Sequence, residues 1–138
     1  MNAPPPREAV VMSSPRLRFA GTVLNAPDVD ALASFYEHLL GWPRLMDEAD
    51  WIALRHPDGG TAIAFQTDAA FTPPVWPGGA GDQRANVHLD FVADDLDAAV
   101  EHAVAGGATL AGFQPDERER VLFDPIGHPF CLIPAPPT

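Results

Sequence analysis

The chain has 138 residues with 19 acidic against 8 basic side chains, a formal net charge of −11. That length suits one domain able to bury roughly two-thirds of the surface its unfolded chain exposes, and the charge opposes nucleic acid and anionic membrane surfaces, leaving a cationic or neutral small molecule as the easier partner. No stretch reaches the ~18 apolar residues of a membrane span, the start lacks the pattern of a signal peptide, and the single cysteine, Cys131, cannot pair within the chain, so a cytoplasmic protein without disulfides is expected.

Residues 1–16 are rich in Pro, Ala and Ser with no apolar period and read as a flexible tail ahead of a domain over 17–138. Leu17 to Asn25 reads as a strand. Pro27 and Asp28 then open a helix whose apolar stripe is Val29, Leu32, Ala33, Tyr36 and Leu40, with Gly41 as its stop. Arg44 to Glu48 and Trp51 to Arg55 follow as short strands joined by a tight turn at Ala49 and Asp50. His56-Pro57-Asp58-Gly59-Gly60 is a turn signal, and Thr61 to Gln66 a further strand. Phe71 to Gly81, inside a linker over 68–84, is too rich in Pro and Gly for regular structure; it is a linker or lid, and its Phe71 and Trp76 must pack on something.

From Asn86 to Ala93 the polar Asn86, His88 and Asp90 alternate with Val87, Leu89 and Phe91, which lines three polar groups along one face of a strand. Asp94 or Asp95 caps a second helix with a stripe of Leu96, Ala99, Val100, Ala103 and Val104, ended by Gly106 and Gly107. Strands over Thr109 to Phe113, Glu119 to Phe123 and Pro129 to Ile133 complete the chain. The second half repeats the first. Asp28-Val29-Asp30-Ala31 matches Asp95-Leu96-Asp97-Ala98 at an offset of 67, and the turn prolines Pro57 and Pro125 match at 68, so two βαβββ units are expected, over 17–67 and 85–134.

With Phe35 to Trp42 (FYEHLLGW), His88 to Val100 (HLDFVADDLDAAV) and Asp124 to Ile133 (DPIGHPFCLI), the chain resembles the vicinal oxygen chelate superfamily, which holds glyoxalase I, extradiol dioxygenases, epimerases, fosfomycin thiol transferases and bleomycin-type antibiotic-binding proteins. Within it the likeness is to the small bacterial glyoxalase-like proteins. The resemblance implies an α+β fold in which tandem βαβββ units form a curled mixed sheet, edge to edge around a central cavity, and a homodimer whose cleft draws on both chains. In the metal-dependent members a divalent ion sits in that cavity, on ligands from the first and last strand of each unit, and holds two neighbouring substrate oxygens.

Transferred residue by residue, that ligand set is mostly absent. The first-strand position, seven residues before the helix cap, is His88 in the second unit and Gly21 in the first. The last-strand position, four after the turn glycine, is Cys131 where Glu is expected, and Ile63 or Ala64 in the first unit. No metal is therefore expected. A divalent ion would have His88 as its one clear ligand, joined by a Cys131 thiolate and by Asp90 or Gln66 if either reaches in.

The candidate catalytic pair is His88 and Asp90, where the carboxylate would orient the imidazole or raise its pKa; the alternative is that local hydrogen bonds satisfy both, Asp90 bonding to backbone amides or Arg84. Candidate ligand-binding residues are Gln66, Trp51, Phe65, Trp76, Phe113 and Cys131, although aromatics in strands are more often core and Cys131 also reads as a buried structural thiol. His38 and His102, on helices, and His56 and His128, in turns, read as surface residues. Two functions remain open. One is a metal-free protein that binds a small organic molecule; the other is an enzyme of lyase, isomerase or dioxygenase type using His88 as metal ligand or general base.

Overall fold

The structure is a computed structural model and describes residues 15–135. The elements are β1 (Gly21–Ala26), α1 (Val29–Leu40), β2 (Arg44–Glu48), β3 (Trp51–Leu54), β4 (Ala62–Thr67), β5 (Leu89–Val92), α2 (Leu96–Ala105), β6 (Thr109–Leu110), β7 (Arg120–Phe123) and β8 (Pro129–Ile133). They form the expected α+β tandem of βαβββ units, each a four-stranded mixed sheet with one helix. The strand orders are β1-β4-β3-β2 and β5-β8-β7-β6. The expected tail lies outside the described residues except at its last two positions, and among the described residues no helix is long and apolar enough to cross a membrane.

Both helices start as expected. Asp28 accepts a hydrogen bond from the Ala31 amide and Asp95 from the Ala98 amide, each at 3.1 Å, which satisfies an amide that the first helical turn leaves without a partner. Gly41 ends α1 at φ 71°, a left-handed conformation open to glycine at little cost. The strand at Leu17 starts later than expected, at Gly21, and the one at Asn86 starts at Leu89.

One core joins the units. α1 buries Val29, Leu32, Ala33, Phe35 and Tyr36, and these meet Ile52, Leu54, Ile63 and Phe65 of the first sheet and Leu122, Phe130 and Leu132 of the second. Tyr36 sits at its centre: its ring stacks on Phe65 at 5.6 Å, and its hydroxyl donates to Asp124 Oδ2 at 2.8 Å across the boundary between units. Because the helix-facing sides of both sheets are used here, the opposite sides are left over for function.

Within the chain the two sheets are not joined strand to strand. β1 and β5 are end strands of separate sheets, so the edge-to-edge contact that the resemblance implies is not made inside one copy. Val23 on β1, Val92 on β5 and Val87 just before it remain exposed.

Candidate functional site

The first unit supplies a cavity of about 580 Å³, within the usual range for small-molecule sites, on the side of its sheet turned from α1. Its floor follows from strand alternation and register. Gly21 pairs with Ala62, Val23 with Ala64, and Ala53 with Ala64, so one face carries mostly glycine and alanine and is hollow for want of side chains. Trp51 and Met46 wall it, and Arg18 and Arg55 are the only charged residues among the described ones that line it.

Gly21 has a further constraint. A Cβ there would overlap the Ala62 carbonyl, so β1 and β4 approach too closely for any side chain at this position.

The second unit presents a polar row instead. Asp90 of β5 is the register partner of Cys131 of β8, and His88, two residues before Asp90, shares its face. His88 Nε2 lies 3.1 Å from Asp90 Oδ1, with both side chains about half exposed. Donor atoms of His88, Asp90 and Cys131 all fall within 4.8 Å of one another. Burial, then the charges of Asp90 and Glu119 and a hydrogen bond to Asp90, push the Cys131 thiol up to about 11. At neutral pH it is therefore protonated, close to the carboxylate that also contacts the His88 imidazole.

This places the sequence candidates. His88, Asp90 and Cys131 come together, and Asp90 is engaged by these two while the Arg84 guanidinium reaches the Gly79 carbonyl. Trp51 lines the cavity, and its register partner Gln66 lies at the exposed end of the same face. Trp76 packs on Phe113 at 5.9 Å and on Phe123 at 6.3 Å, while Phe71 lies against His128 at 4.8 Å, so the Pro- and Gly-rich linker is docked along the second unit. Phe65 is a correction: it is fully buried against Tyr36, because it points to the opposite side of β4 from Ala64 and Gln66. His128 also departs from its surface reading, donating to the Asn25 carbonyl of the other unit at 2.8 Å.

All described residues lining the cavity come from the first unit and its approach, Arg18 to Ala64, and His88 is not among them. Arg18, Arg55 and the small-residue floor were missed from sequence. The signal available was the alternation of Gly21 with Val23, of Ala62 with Ala64, and of Trp51, Ala53 and Arg55.

The metal of the superfamily does not fit this set. Gly21 admits no side chain, Ile63 and Ala64 carry no donor, and a thiol, Cys131, stands where a carboxylate is expected. What the residues permit is a divalent ion on His88, Asp90 and Cys131 of the second unit, where His88 and Cys131 occupy two of the four superfamily positions and the thiol would give up its proton.

The family model of a glyoxalase-like domain matches residues 21–133. The chain belongs to this glyoxalase-like family. Among curated proteins none matches it. Solved structures share the fold of this glyoxalase-like protein. A glyoxalase/bleomycin resistance protein/dioxygenase family enzyme from Burkholderia phytofirmans PsJN is 20% identical with a TM-score of 0.63, over 82% of this chain and 94% of that one. A glyoxalase/bleomycin resistance protein from Albidiferax ferrireducens T118 is 22% identical with a TM-score of 0.59, over 86% and 98%. The fosfomycin resistance protein FosX from Listeria monocytogenes, complexed with manganese(II) and 1S,2S-dihydroxypropylphosphonic acid, is 14% identical with a TM-score of 0.64, over 86% and 90%.

Proposed function

We propose that this glyoxalase-like protein binds a small organic molecule in the cavity of its first unit, without the usual metal ligands of the superfamily, and does so as a homodimer. The observation that carries the reading is the hollow itself: a sheet face of about 580 Å³ floored by Gly21, Ala53, Ala62 and Ala64, in which two of the four ligand positions have no side-chain donor. Dimerisation is supported by two end strands, β1 and β5, each bordered by exposed valines, since such edges pair readily with another copy. Pairing them between copies would bring the row of His88, Asp90 and Cys131 of one chain to the cavity of the other.

A second reading is an enzyme in which His88 acts as general base with Asp90 as its orienter, favoured by their 3.1 Å contact. The two are separated by one set of measurements. Chelator-treated protein is screened against small organic molecules by thermal shift and calorimetry, with and without added divalent ions, alongside His88→Ala. Binding that needs no ion and survives His88→Ala supports the binding protein. Turnover of a bound compound that His88→Ala abolishes supports the enzyme, and a requirement for a divalent ion overturns the metal-free reading. Sedimentation showing only monomer at micromolar concentration would remove the dimer.

A further inference from the structure

We propose that the cavity selects an organic anion, its oxyanion head held by Arg18 and Arg55 and its apolar body laid on the small-residue floor beside Trp51. This rests on the cavity being the ligand site and names the class of ligand it takes.

Most of the described positive charge is committed away from the cavity. All eight basic residues are arginines. Arg44 is held by Asp30, Glu37 and Asp47 at 2.8 to 3.0 Å, and Arg118 by Asp116 at 3.1 Å. Arg120 donates to the carbonyls of Glu117 and Glu119, and Arg84 to that of Gly79. Arg18 and Arg55 have no hydrogen-bonded or ion-paired side-chain partner among the described residues, and both line the cavity. Among the described residues no acidic one lines it. A molecule with a net charge of −11 thus carries a concavity in which the described lining residues contribute charge only through two guanidinium groups.

Global and local fields oppose each other here, and distance decides between them. Screening over about 8 Å at physiological salt removes most of the repulsion from remote carboxylates. Contact with a guanidinium fork is within that length, and its planar donors match carboxylate or phosphonate oxygens two at a time. The expectation of a cationic ligand from net charge is therefore reversed at the cavity. The alanine and glycine floor has no polar side chain to solvate an entirely hydrophilic ion, which points to an acid with an apolar body.

The test is calorimetry on the full chain with a panel of aromatic and short-chain carboxylates and phosphonates, each paired with its neutral amide or ester, in low and high salt. Acids are expected to bind more tightly than their neutral partners, to weaken with salt, and to lose roughly ten-fold in affinity on Arg18→Gln or Arg55→Gln, the loss of about one charge-assisted contact. Arg16→Gln, which changes the net charge equally but does not line the cavity, is expected to bind as the unmodified protein does. Neutral partners binding as well as acids, with both arginine variants unaffected, would overturn the anion and leave the cavity reading standing. No binding of either kind would remove both.

Discussion

His38 and His102 clasp each other across the boundary between the units. Each Nε2 donates to the main-chain carbonyl of the other at 2.8 Å, and the rings stack with centroids 4.2 Å apart. Each residue lies in the last turn of its helix, and the clasp gives the His38 carbonyl a donor while the His102 carbonyl also accepts from the Gly106 amide at 3.3 Å. His102→Ala removes both a donor and a stacking partner and is expected to cost about 1–2 kcal/mol, read as a lower urea midpoint. A double-mutant cycle with His38→Ala should show coupling of about 1 kcal/mol; strict additivity would mean that the clasp contributes nothing as a pair.

Tyr36 offers a clean probe of the shared core, because it is the chain's only tyrosine. Burial, with the charge of Asp124 and the hydrogen bond to it, holds its phenol well above the usual 10. The unfolded chain ionises near 10 while the folded one does not, so this group's contribution to stability is complete below pH 10 and is lost as the pH climbs towards the folded value. Tyrosinate absorbance should therefore rise together with unfolding rather than at pH 10. Tyr36→Phe should cost about 2 kcal/mol by removing a donor from a buried carboxylate, whose other oxygen keeps the amides of Ile126, Gly127 and His128.

Local chemistry was legible in the sequence and relations between the units were not. The caps at Asp28 and Asp95 and the stop at Gly41 depend on neighbours a few residues away, and each is where its spacing places it. The face shared by His88 and Asp90 was legible from alternation, whereas Cys131 joined them through the resemblance alone, because the parallel β5–β8 pairing that sets it beside Asp90 leaves no local signal. A ligand-binding role for both Phe65 and Gln66 conflicts with that same alternation, since neighbours in a strand point to opposite sides. His38 with His102, and His128 with Asn25, pair only after the helices and sheets have packed, so these histidines resembled ordinary surface residues when taken one at a time.

Cys131 should be slow to alkylate. With the thiol pushed up to about 11, little thiolate exists at pH 7, and as the only cysteine it can be followed without interference. Iodoacetamide labelling of chelator-treated protein is expected to accelerate with pH beyond the range where a free thiol levels off. Asp90→Asn removes a neighbouring negative charge and should lower the thiol pKa, raising the labelling rate at pH 8 several-fold, on the order of three- to ten-fold. An unchanged rate would mean that Asp90 does not hold the thiol proton.

Restoring the missing ligand in the first unit should fail for a steric reason. At Gly21 a Cβ overlaps the carbonyl of Ala62, which is backbone in a paired strand and cannot swing aside as a side-chain tip can. Gly21→Ala is expected to destabilise by about 2–3 kcal/mol, at the upper end of overpacking costs, and Gly21→His by more. Opening β1 from β4 to relieve the overlap would also disturb the floor that Gly21 and Ala62 share, so any ligand affinity should fall with the melting temperature. A Gly21→His variant that melts with the unmodified protein and gains tight manganese binding would show that the two strands can part and that the superfamily's metal site was lost only by substitution.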